Sequence, residues 1–335
     1  MFFEQKKVIK DTYHVGVNNR QSVFNVAYGV DQNFLFGSMI SMTSLLMNNS
    51  DISFCFHIFT DYIDEDYKTK IEQLSSQYNC EIFVYLVACD ELKILPSTKN
   101  WSYAMYFRFI ACDIIGTHQE RMLYLDADII CKNSIQKLVN LNLDNRFAAV
   151  VKDGDSHFWN ERANIFGVPE ISNGYFNSGV MLVNLKNWTE RNITEESMKM
   201  LLDPEVQKKL KFPDQDVLNI LLCKEIIFLE GDYNTQTSIN FELQCEKNSI
   251  YPHHILDKTV FIHYIGPTKP WHIWAQYPIS EYFLVAKNNS PWKRDSLLKA
   301  HSTSLLRYQA KHQIHQRKCL QGFWSYLQYF CAKMR

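Results

Sequence analysis

Short apolar runs alternate with segments of helical period through the first part of the chain. The pattern predicts strands over 24–28, 54–60 and 82–87 and helices over 34–47 and 65–78. Strands that alternate with helices of this length indicate an α/β fold with a mostly parallel sheet and helices on both faces. Residues 1–22 are polar and lack a period, which indicates a lead-in ahead of the sheet.

Beyond residue 100 the elements continue, with one irregular stretch in the middle. Glycines and Asn177 bracket a predicted tight bend. From 153 to 172 polar and aromatic residues show little period, which predicts a mobile loop over a site. The remaining predicted elements are helices over 101–115, 135–139, 188–202 and from Pro213 onward, and strands over 147–151, 180–185 and near 260.

Two carboxylates, Asp126 and Asp128, follow an apolar run that begins at Arg121. Alternate side chains of a strand share a face, so the two can converge where the strand ends, which is where α/β sheets bind ligands. Such a pair suits Mg²⁺ or Mn²⁺ holding a diphosphate. The competing interpretation is two solvated aspartates in a turn. Arg108 is either a surface charge or is directed at phosphate or at Asp126.

Two further groups of polar residues have both a structural and a functional interpretation. Asp214 and Asp216 could simply complement a helix dipole, although two acids flanking a glutamine exceed what a cap needs. A lone histidine is most often structural. His263, however, ends a strand and precedes a Gly-Pro turn and Lys269, which is typical of a metal ligand beside a phosphate-binding loop.

Charge is distributed unevenly along the 335 residues. Residues 293–335 contain nine Lys or Arg and one Asp, a net charge of +8, which leaves −9 for the rest of a chain whose total is −1. We therefore divide the chain into a lead-in (1–22), a main domain (23–290) and a basic, aromatic tail (291–335). The tail is either a solvated helix packed on the domain or a peripheral anchor at anionic lipid. The acidic body and the missing RNA-binding motifs argue against a nucleic-acid partner.

Several classes of protein are disfavoured by what the sequence lacks. Nine scattered cysteines without a Cys-x-x-Cys pair indicate a reducing compartment. The N-terminus has no apolar segment of a secretion signal, and no uncharged apolar run could span a bilayer, so we expect a cytoplasmic protein. No GxGxxG follows the first strand and no Walker A sequence occurs, which disfavours the usual dinucleotide and P-loop folds.

Four motifs, in this order, resemble those of glycosyltransferase family 8: Leu-Tyr-Leu-Asp-Ala-Asp, Tyr-Phe-Asn-Ser-Gly-Val, Asp-Gln-Asp-Val-Leu-Asn and His-Tyr-Ile-Gly-Pro-Thr-Lys-Pro-Trp-His. The resemblance covers roughly residues 24–285. It implies a GT-A fold, a Rossmann-like mixed sheet, and a retaining, metal-dependent enzyme that uses a nucleotide sugar. Val-Ala-Tyr-Gly-Val-Asp-Gln-Asn-Phe, Ser-Tyr-Ala-Met-Tyr-Phe-Arg-Phe and the tail are similar to bacterial lipopolysaccharide core hexosyltransferases, and the loops most resemble members that add α-1,3.

The resemblance also implies roles for individual residues. Its metal ligands, for Mn²⁺ or Mg²⁺, are Asp126, Asp128 and His263. Asp31 and Asn33 match the region that reads uracil and ribose. Asp31, Asn33, Asp126 and Asp128 also match donor-binding positions. The other donor-binding positions are Arg108, Ala127, Asn177, Ser178, Gly266 and Lys269. The catalytic positions in the sugar pocket are Asp153, Asp214 and Gln215.

The chemistry of a retaining transfer fits those groups. Gln215 is an amide and a poor nucleophile, so we favour front-face attack by the acceptor hydroxyl, whose proton goes to the departing phosphate oxygen. In this scheme the Gln215 carbonyl stabilises the oxocarbenium-like state, and Asp153 and Asp214 hold sugar hydroxyls. Lys269 and the metal would stabilise the charge that develops on UDP.

The function expected from the resemblance is transfer of glucose or galactose from UDP-glucose or UDP-galactose to a hexose of the lipopolysaccharide outer core, with an α-1,3 linkage. The tail would hold the enzyme on the cytoplasmic face of the inner membrane. The alternatives are an α-1,2-linking member of the family, a haloacid-dehalogenase-type phosphatase and a non-catalytic membrane-associated binding module. The phosphatase places its aspartate pair after the first strand, whereas this pair follows residue 120.

Overall fold

Two β-sheets contain the strands of the computed structural model, which describes residues 2–16, 23–96, 102–244 and 255–334. Eight strands form one sheet in the order β1-β4-β3-β2-β5-β8-β7-β9, and three form a small sheet in the order β10-β11-β6. The strands are β1 (Ile9–Val15), β2 (Phe24–Val30), β3 (Phe54–Thr60), β4 (Glu81–Val87), β5 (Arg121–Leu125), β6 (Ile129–Cys131), β7 (Ala148–Lys152), β8 (Phe176–Asn184), β9 (Ile226–Phe228), β10 (Thr235–Thr237) and β11 (Phe261–Tyr264).

Helices cover both faces of the large sheet. Alternate residues of β2 point to opposite sides, so Val26 and Tyr28 join one apolar core while Ala27 joins the other. The helices are α1 (Gln5–Val8), α2 (Gln32–Asn48), α3 (Glu65–Tyr78), α4 (Phe107–Ile115), α5 (Gln136–Val139), α6 (Ser156–Phe166), α7 (Leu185–Glu190), α8 (Ile193–Leu202), α9 (Pro204–Gln207), α10 (Pro213–Leu222), α11 (Glu281–Asn288), α12 (Thr303–His315) and α13 (Cys319–Met334). This arrangement confirms the predicted α/β architecture.

The large sheet is mixed. Strand β8 runs antiparallel to both of its neighbours, β5 and β7, and β1 runs antiparallel to β4, while β2, β3 and β4 are parallel. Alternating strands and helices predicted a mostly parallel sheet, but β5 reaches β8 through a long excursion that reverses the chain direction. The mixed sheet implied by the family resemblance is confirmed.

Strand β1 lies within the segment that the sequence indicated as a lead-in. It pairs with β4 at the edge of the sheet, and the ring of His14 stacks on Phe83 at 4.1 Å. Most of its side chains stay exposed or half-buried. An edge strand of this kind needs no apolar face. Its polar sequence therefore lacks the apolar alternation that predicts a strand. Residues 17–22 of the predicted lead-in lie outside the described part of the chain.

The predicted mobile loop over 153–172 is wrong, because α6 occupies most of it. Asp155 caps the helix by accepting from the Phe158 amide at 3.0 Å, and Gly167 ends it at φ +71°. Only Arg162 and Ala163 of this helix are buried. A helix that rests on the domain through so few residues shows a weak apolar period, which explains the error.

Two other predicted helices differ in extent. The helix over 188–202 is broken at Asn192, which adopts a left-handed conformation with φ +52° and separates α7 from α8. The helix predicted over 101–115 begins as a 3₁₀ turn at Tyr103–Tyr106 and becomes α4 at Phe107. Trp101 lies outside the described residues.

The tail ends in two helices that pack against each other. Gly322 permits this close approach, because a Cβ there would lie 2.5 Å from the Ile314 side chain and 3.1 Å from the Ala310 carbonyl. The outer face of α13 is apolar: Leu320, Phe323 and Trp324 are 88%, 64% and 62% exposed. Among the described residues, no helix is long and apolar enough to cross a bilayer.

Candidate active site

The two aspartates lie where the chain passes from the large sheet to the small one. Strand β5 ends at Leu125, Asp126 and Asp128 follow, and β6 then pairs antiparallel with β11, which sets Ile129 opposite His263. That pairing brings the imidazole to the carboxylates. Its Nε2 lies 3.3 Å from Asp128 Oδ1 and 4.0 Å from Asp126 Oδ2.

This cluster has the donor set of a metal site and an imidazole oriented for it. One ligand atom from each of Asp126, Asp128 and His263 lies within 4.8 Å of the others. The Nδ1 of His263 is 2.9 Å from the amide oxygen of Asn234, which can only accept, so Nδ1 carries a proton and Nε2 is the nitrogen that can bind a metal. Two carboxylates and an imidazole suit Mn²⁺ or Mg²⁺. The residues therefore fit a divalent cation.

One feature favours the ionised form of Asp128, and another keeps the three ligands close together. Burial opposes ionisation of Asp128, but the Lys269 ammonium and His263 lower its pKa below the usual range. Gly179 leaves room beside the ligands, since a Cβ there would lie 2.6 Å from the His263 ring and 2.7 Å from Asp126 Oδ2. Any side chain at Gly179 would displace a ligand.

Replacement of Asn234 by Ala is expected to weaken Mn²⁺ binding by about 10- to 100-fold, because His263 loses the partner that fixes its tautomer and ring orientation. Electron paramagnetic resonance of free Mn²⁺ during a titration measures this affinity. Asn234→Asp keeps an oxygen for the His263 N–H and should bind Mn²⁺ within a few-fold of the wild-type protein. Equal affinity in Asn234→Ala and the wild-type protein would show that Asn234 does not orient the ligand.

Arg108 is a buried link between the metal cluster and α10, so the surface-charge interpretation is wrong. Its Nη2 lies 3.0 Å from Asp126 Oδ1, and its Nη1 lies 3.1 Å from Asp214 Oδ2. Nη1 also donates to the Ser178 carbonyl at 3.0 Å. Burial lowers the pKa of the guanidinium, but Asp214, Tyr124 and Asp126 more than offset this and raise the pKa above its usual value. The prediction that Arg108 is directed at Asp126 is confirmed.

Gln215 sits at the centre of the predicted sugar pocket with both ends of its amide engaged. Its Oε1 accepts from the Ser178 backbone N–H at 3.0 Å and from Asn177 Nδ2 at 3.1 Å. Its Nε2 donates to Asp153 Oδ2 at 3.2 Å and to the Tyr175 hydroxyl at 3.3 Å. To present its carbonyl to a sugar, Gln215 must exchange at least one of these contacts.

The two acids at the start of α10 have different roles. Asp214 faces the site through Arg108, as described above. Asp216 is fully buried and accepts from Arg162, from the Tyr175 hydroxyl at 2.6 Å and from two backbone N–H groups, those of residues 211 and 212. The cap interpretation therefore holds for Asp216, which anchors the helix that presents Asp214 and Gln215.

The predicted phosphate-binding loop lies beside the metal cluster. Gly266 has φ +84°, a left-handed conformation that favours glycine. Lys269 is buried; its Nζ bonds Asp128 and donates to the Tyr264 carbonyl at 2.7 Å. In this structure Lys269 is thus paired with a predicted metal ligand, where it can reach an anion held there.

The positions predicted to read the nucleotide have local structural roles. Asp31 caps α2 by accepting from the Asn33 and Phe34 amides at 3.0 and 3.2 Å. Strand β2, which precedes Asp31, is parallel to β5, so Asp31 and Asp126 follow strand ends at the same edge of the sheet. Ala127 is buried in the apolar core between the aspartates.

Asn234 and Gln236 are two residues of the site that the sequence did not indicate. Gln236 Nε2 donates to Asp153 Oδ1 at 3.0 Å, and Asn234 Nδ2 donates to Asn177 Oδ1 at 2.8 Å. Gln236 lies on β10, paired with His263 of β11. A strand of three residues carries too little pattern to be predicted, and only its pairing brings these amides to the site.

Comparison with known proteins gives the class. The glycosyl transferase family 8 model matches residues 25–275, and the family 8 C-terminal model matches residues 277–333. The chain therefore belongs to glycosyltransferase family 8. This confirms the resemblance drawn from the four motifs and removes the phosphatase alternative.

The relatives share the full length of the chain. It is 46% identical over 99% of its length to a lipopolysaccharide 1,3-galactosyltransferase of Salmonella typhimurium, covering 98% of that protein. It is 44% identical over 100% of its length to the lipopolysaccharide glucosyltransferase WaaO of Escherichia coli, covering 99% of it. A crystal structure of the galactosyltransferase LgtC with donor and acceptor sugar analogs has the same fold, with a TM-score of 0.67, 20% identity and coverage of 80% of this chain and 96% of LgtC.

Proposed function

We propose that the protein is a retaining hexosyltransferase that moves glucose or galactose from a UDP-sugar to a hexose of the lipopolysaccharide outer core with an α-1,3 linkage. The observation that carries the proposal is the buried Arg108, which joins the Asp126–Asp128–His263 cluster to Asp214 beside Gln215. A diphosphate site and a sugar pocket in contact are what a nucleotide-sugar transferase needs. The two full-length relatives support the acceptor class.

The leaving group is stabilised at the cluster side. Asp126, Asp128 and His263 would hold Mn²⁺ or Mg²⁺, which when bound neutralises negative charge on the diphosphate. Lys269 lies against Asp128 and would place its ammonium near the same oxygens. The Gly266 turn lets the backbone come close to them. Negative charge that develops on UDP then meets groups that are already in place.

The transfer itself takes place at the α10 side. Asp153 and Asp214 would accept from hydroxyls of the donor sugar. Gln215 would exchange its contact with Asn177 or Ser178 and turn its carbonyl toward the reacting carbon. The acceptor hydroxyl attacks the anomeric carbon from the face on which UDP departs. The C–O bond to phosphate breaks, and the departing phosphate oxygen takes the proton of the attacking hydroxyl. This course retains the anomeric configuration without a covalent intermediate on the amide.

Asp214→Asn is expected to lower kcat/KM for the UDP-sugar by about 100-fold, because it removes a charged acceptor for the sugar and for Arg108. The affinity for UDP should change less than about threefold, since UDP lacks the sugar. Steady-state rates and calorimetric titration with UDP measure the two quantities. Glu205→Gln, at an exposed acid of α9, serves as the control. Equal losses of sugar use and UDP affinity would contradict the assignment.

The linkage and stereochemistry need a product analysis. Nuclear magnetic resonance of the product formed on core-truncated lipopolysaccharide shows the anomeric configuration and the substituted hydroxyl. An α-1,3 product supports the proposal. An α-1,2 product would support a retaining hexosyltransferase but contradict the α-1,3 linkage. A β product would contradict retention of the anomeric configuration.

We also propose that the tail holds the enzyme on the cytoplasmic face of the inner membrane. The exposed apolar side of α13 and the net charge of +8 in residues 293–335 support contact with anionic lipid. Phe323→Glu combined with Trp324→Glu should reduce partitioning onto anionic vesicles about tenfold or more. Gln321→Glu with Gln328→Glu adds the same charge at exposed polar positions of the same helix and is the matched control. Equal partitioning of both double variants would contradict a role for the apolar face.

A further inference from the structure

The last helix but one, α12, carries a buried imidazole that contacts the main domain. His312 is fully buried, although it lies in the tail. Its hydrogen bond to Asn240 connects it to the donor loop, which we define as residues 265–269. We infer that His312 is a positioning residue for this loop, so that the tail contributes to donor binding independently of any membrane. The inference rests on the proposed function, which assigns Gly266 and Lys269 to the diphosphate.

Both ring nitrogens of His312 have partners in the domain. Its Nε2 lies 2.9 Å from Asn240 Oδ1, and its Nδ1 lies 2.8 Å from the Tyr277 hydroxyl. Because the amide oxygen can only accept, Nε2 carries the proton and Nδ1 accepts from Tyr277. Burial lowers the pKa of His312 to about 4, so the ring is neutral and needs no counter-ion. Both of its hydrogen bonds are therefore satisfied in one fixed tautomer.

Asn240 connects His312 to the donor loop. The hydroxyl of Thr268 donates to the same Asn240 oxygen at 2.7 Å, and Thr268 is fully buried. The loop is also held at its start, where the Ile265 N–H donates to the Thr237 carbonyl at 2.8 Å. Two short segments of the domain and one helix of the tail thus fix the backbone of the loop.

Lys269 follows Thr268 directly. Its backbone N–H donates to His272 Nδ1 at 3.0 Å, and its ammonium bonds Asp128 in the metal cluster. A shift of the Thr268 backbone would move that ammonium relative to the cluster. Displacements of about 1 Å in a positioned group can cost about 100-fold in rate, so a modest loosening has a measurable effect.

A purely structural role for His312 would give a different result from the positioning role. If the imidazole only secures the tail, its loss lowers thermal stability and leaves the affinity of folded protein for UDP unchanged. If it positions the loop, the UDP affinity of the folded protein falls and kcat/KM for the UDP-sugar falls with it, because Lys269 contacts the diphosphate in the ground state and in the transition state. His315 is a matched control, because it is exposed on the same helix and lies 3.4 Å from the same Tyr277 hydroxyl.

The experiment compares His312→Ala, His312→Gln and His315→Ala in the full chain, by calorimetric titration with UDP and Mn²⁺ and by steady-state rates with a soluble acceptor in the absence of lipid. We expect His312→Ala to weaken UDP binding about tenfold and to lower kcat/KM for the UDP-sugar by at least about tenfold. His312→Gln, whose amide can donate to Asn240, should recover most of the affinity. His315→Ala should bind UDP like the wild-type protein.

The outcomes separate the inference from the proposed function. Wild-type protein that fails to bind UDP with Mn²⁺ would overturn the proposed function. Wild-type and His312→Ala proteins that bind UDP equally would overturn the inference alone. If His312→Ala does not fold, Thr268→Val carries the test, because it keeps the shape of the side chain and removes the hydroxyl bonded to Asn240. We expect this variant to bind UDP about fivefold more weakly, and unchanged affinity would overturn the inference.

Discussion

Asp128→Asn is expected to lower kcat/KM for the UDP-sugar by about 1,000-fold or more. The carboxylate has three contacts in the site, since it bonds Lys269, lies 3.3 Å from His263 and adjoins Asp126. An amide at this position removes an anionic metal ligand and leaves the buried Lys269 ammonium without its counter-charge. Both changes act on the charge that develops on the leaving group.

The effect should be visible in binding as well as in rate. Mn²⁺ titration followed by paramagnetic resonance should show affinity reduced by at least about 100-fold in the same variant. Asp66→Asn, at an exposed acid of α3 that pairs with Lys70, is the control and should retain wild-type rate and affinity. If Asp128→Asn binds Mn²⁺ normally and keeps its rate within about tenfold, Asp128 is not a metal ligand.

Asp216→Ala is expected to lower the free energy of unfolding by about 3–5 kcal/mol. Its carboxylate is completely buried and receives Arg162 Nη2 at 2.8 Å, the Tyr175 hydroxyl and two backbone N–H groups. Alanine leaves the guanidinium of Arg162, itself only 4% exposed, without its carboxylate partner. An unpaired buried charge accounts for most of the expected loss.

Denaturant titration followed by circular dichroism measures this loss. Glu205→Gln, in an exposed pair with Lys208 on the adjoining helix, should change stability by less than about 0.5 kcal/mol. Arg162→Met combined with Asp216→Leu removes both charges and should be less destabilising than Asp216→Ala. A loss below about 1 kcal/mol in Asp216→Ala would show that the buried pair does not anchor α10.

The elements of the fold that could be predicted are those in which burial imposes a recognisable pattern of apolar residues. Strand β3 and helix α3 were predicted with the bounds that the structure has, because β3 is buried along its whole length and α3 is amphipathic. The same applies to the position of Asp126 and Asp128, which depends only on an apolar strand ending at two acids. Where an element has little burial, as in β1 and α6, no apolar period marks it.

The site could be predicted only in part, because some of its residues are brought together only by contacts between distant segments. His263 was predicted from its strand end and the following loop, and β11 does bring it to the aspartates. Asn234, which orients that imidazole, comes from a turn before a three-residue strand and belongs to no motif. The capping role of Asp31 and the buried His312 likewise follow from packing that single residues do not reveal.

The proposed activity is metal-dependent transfer from a UDP-hexose to a lipopolysaccharide core acceptor. The most direct test is UDP release from UDP-glucose and from UDP-galactose, with Mn²⁺ and then with EDTA, using core-truncated lipopolysaccharide as acceptor. We predict UDP release with one of the two donors, and this release should require both the acceptor and the metal. An absence of release with either donor across several truncated acceptors would contradict it and favour a non-catalytic binding module.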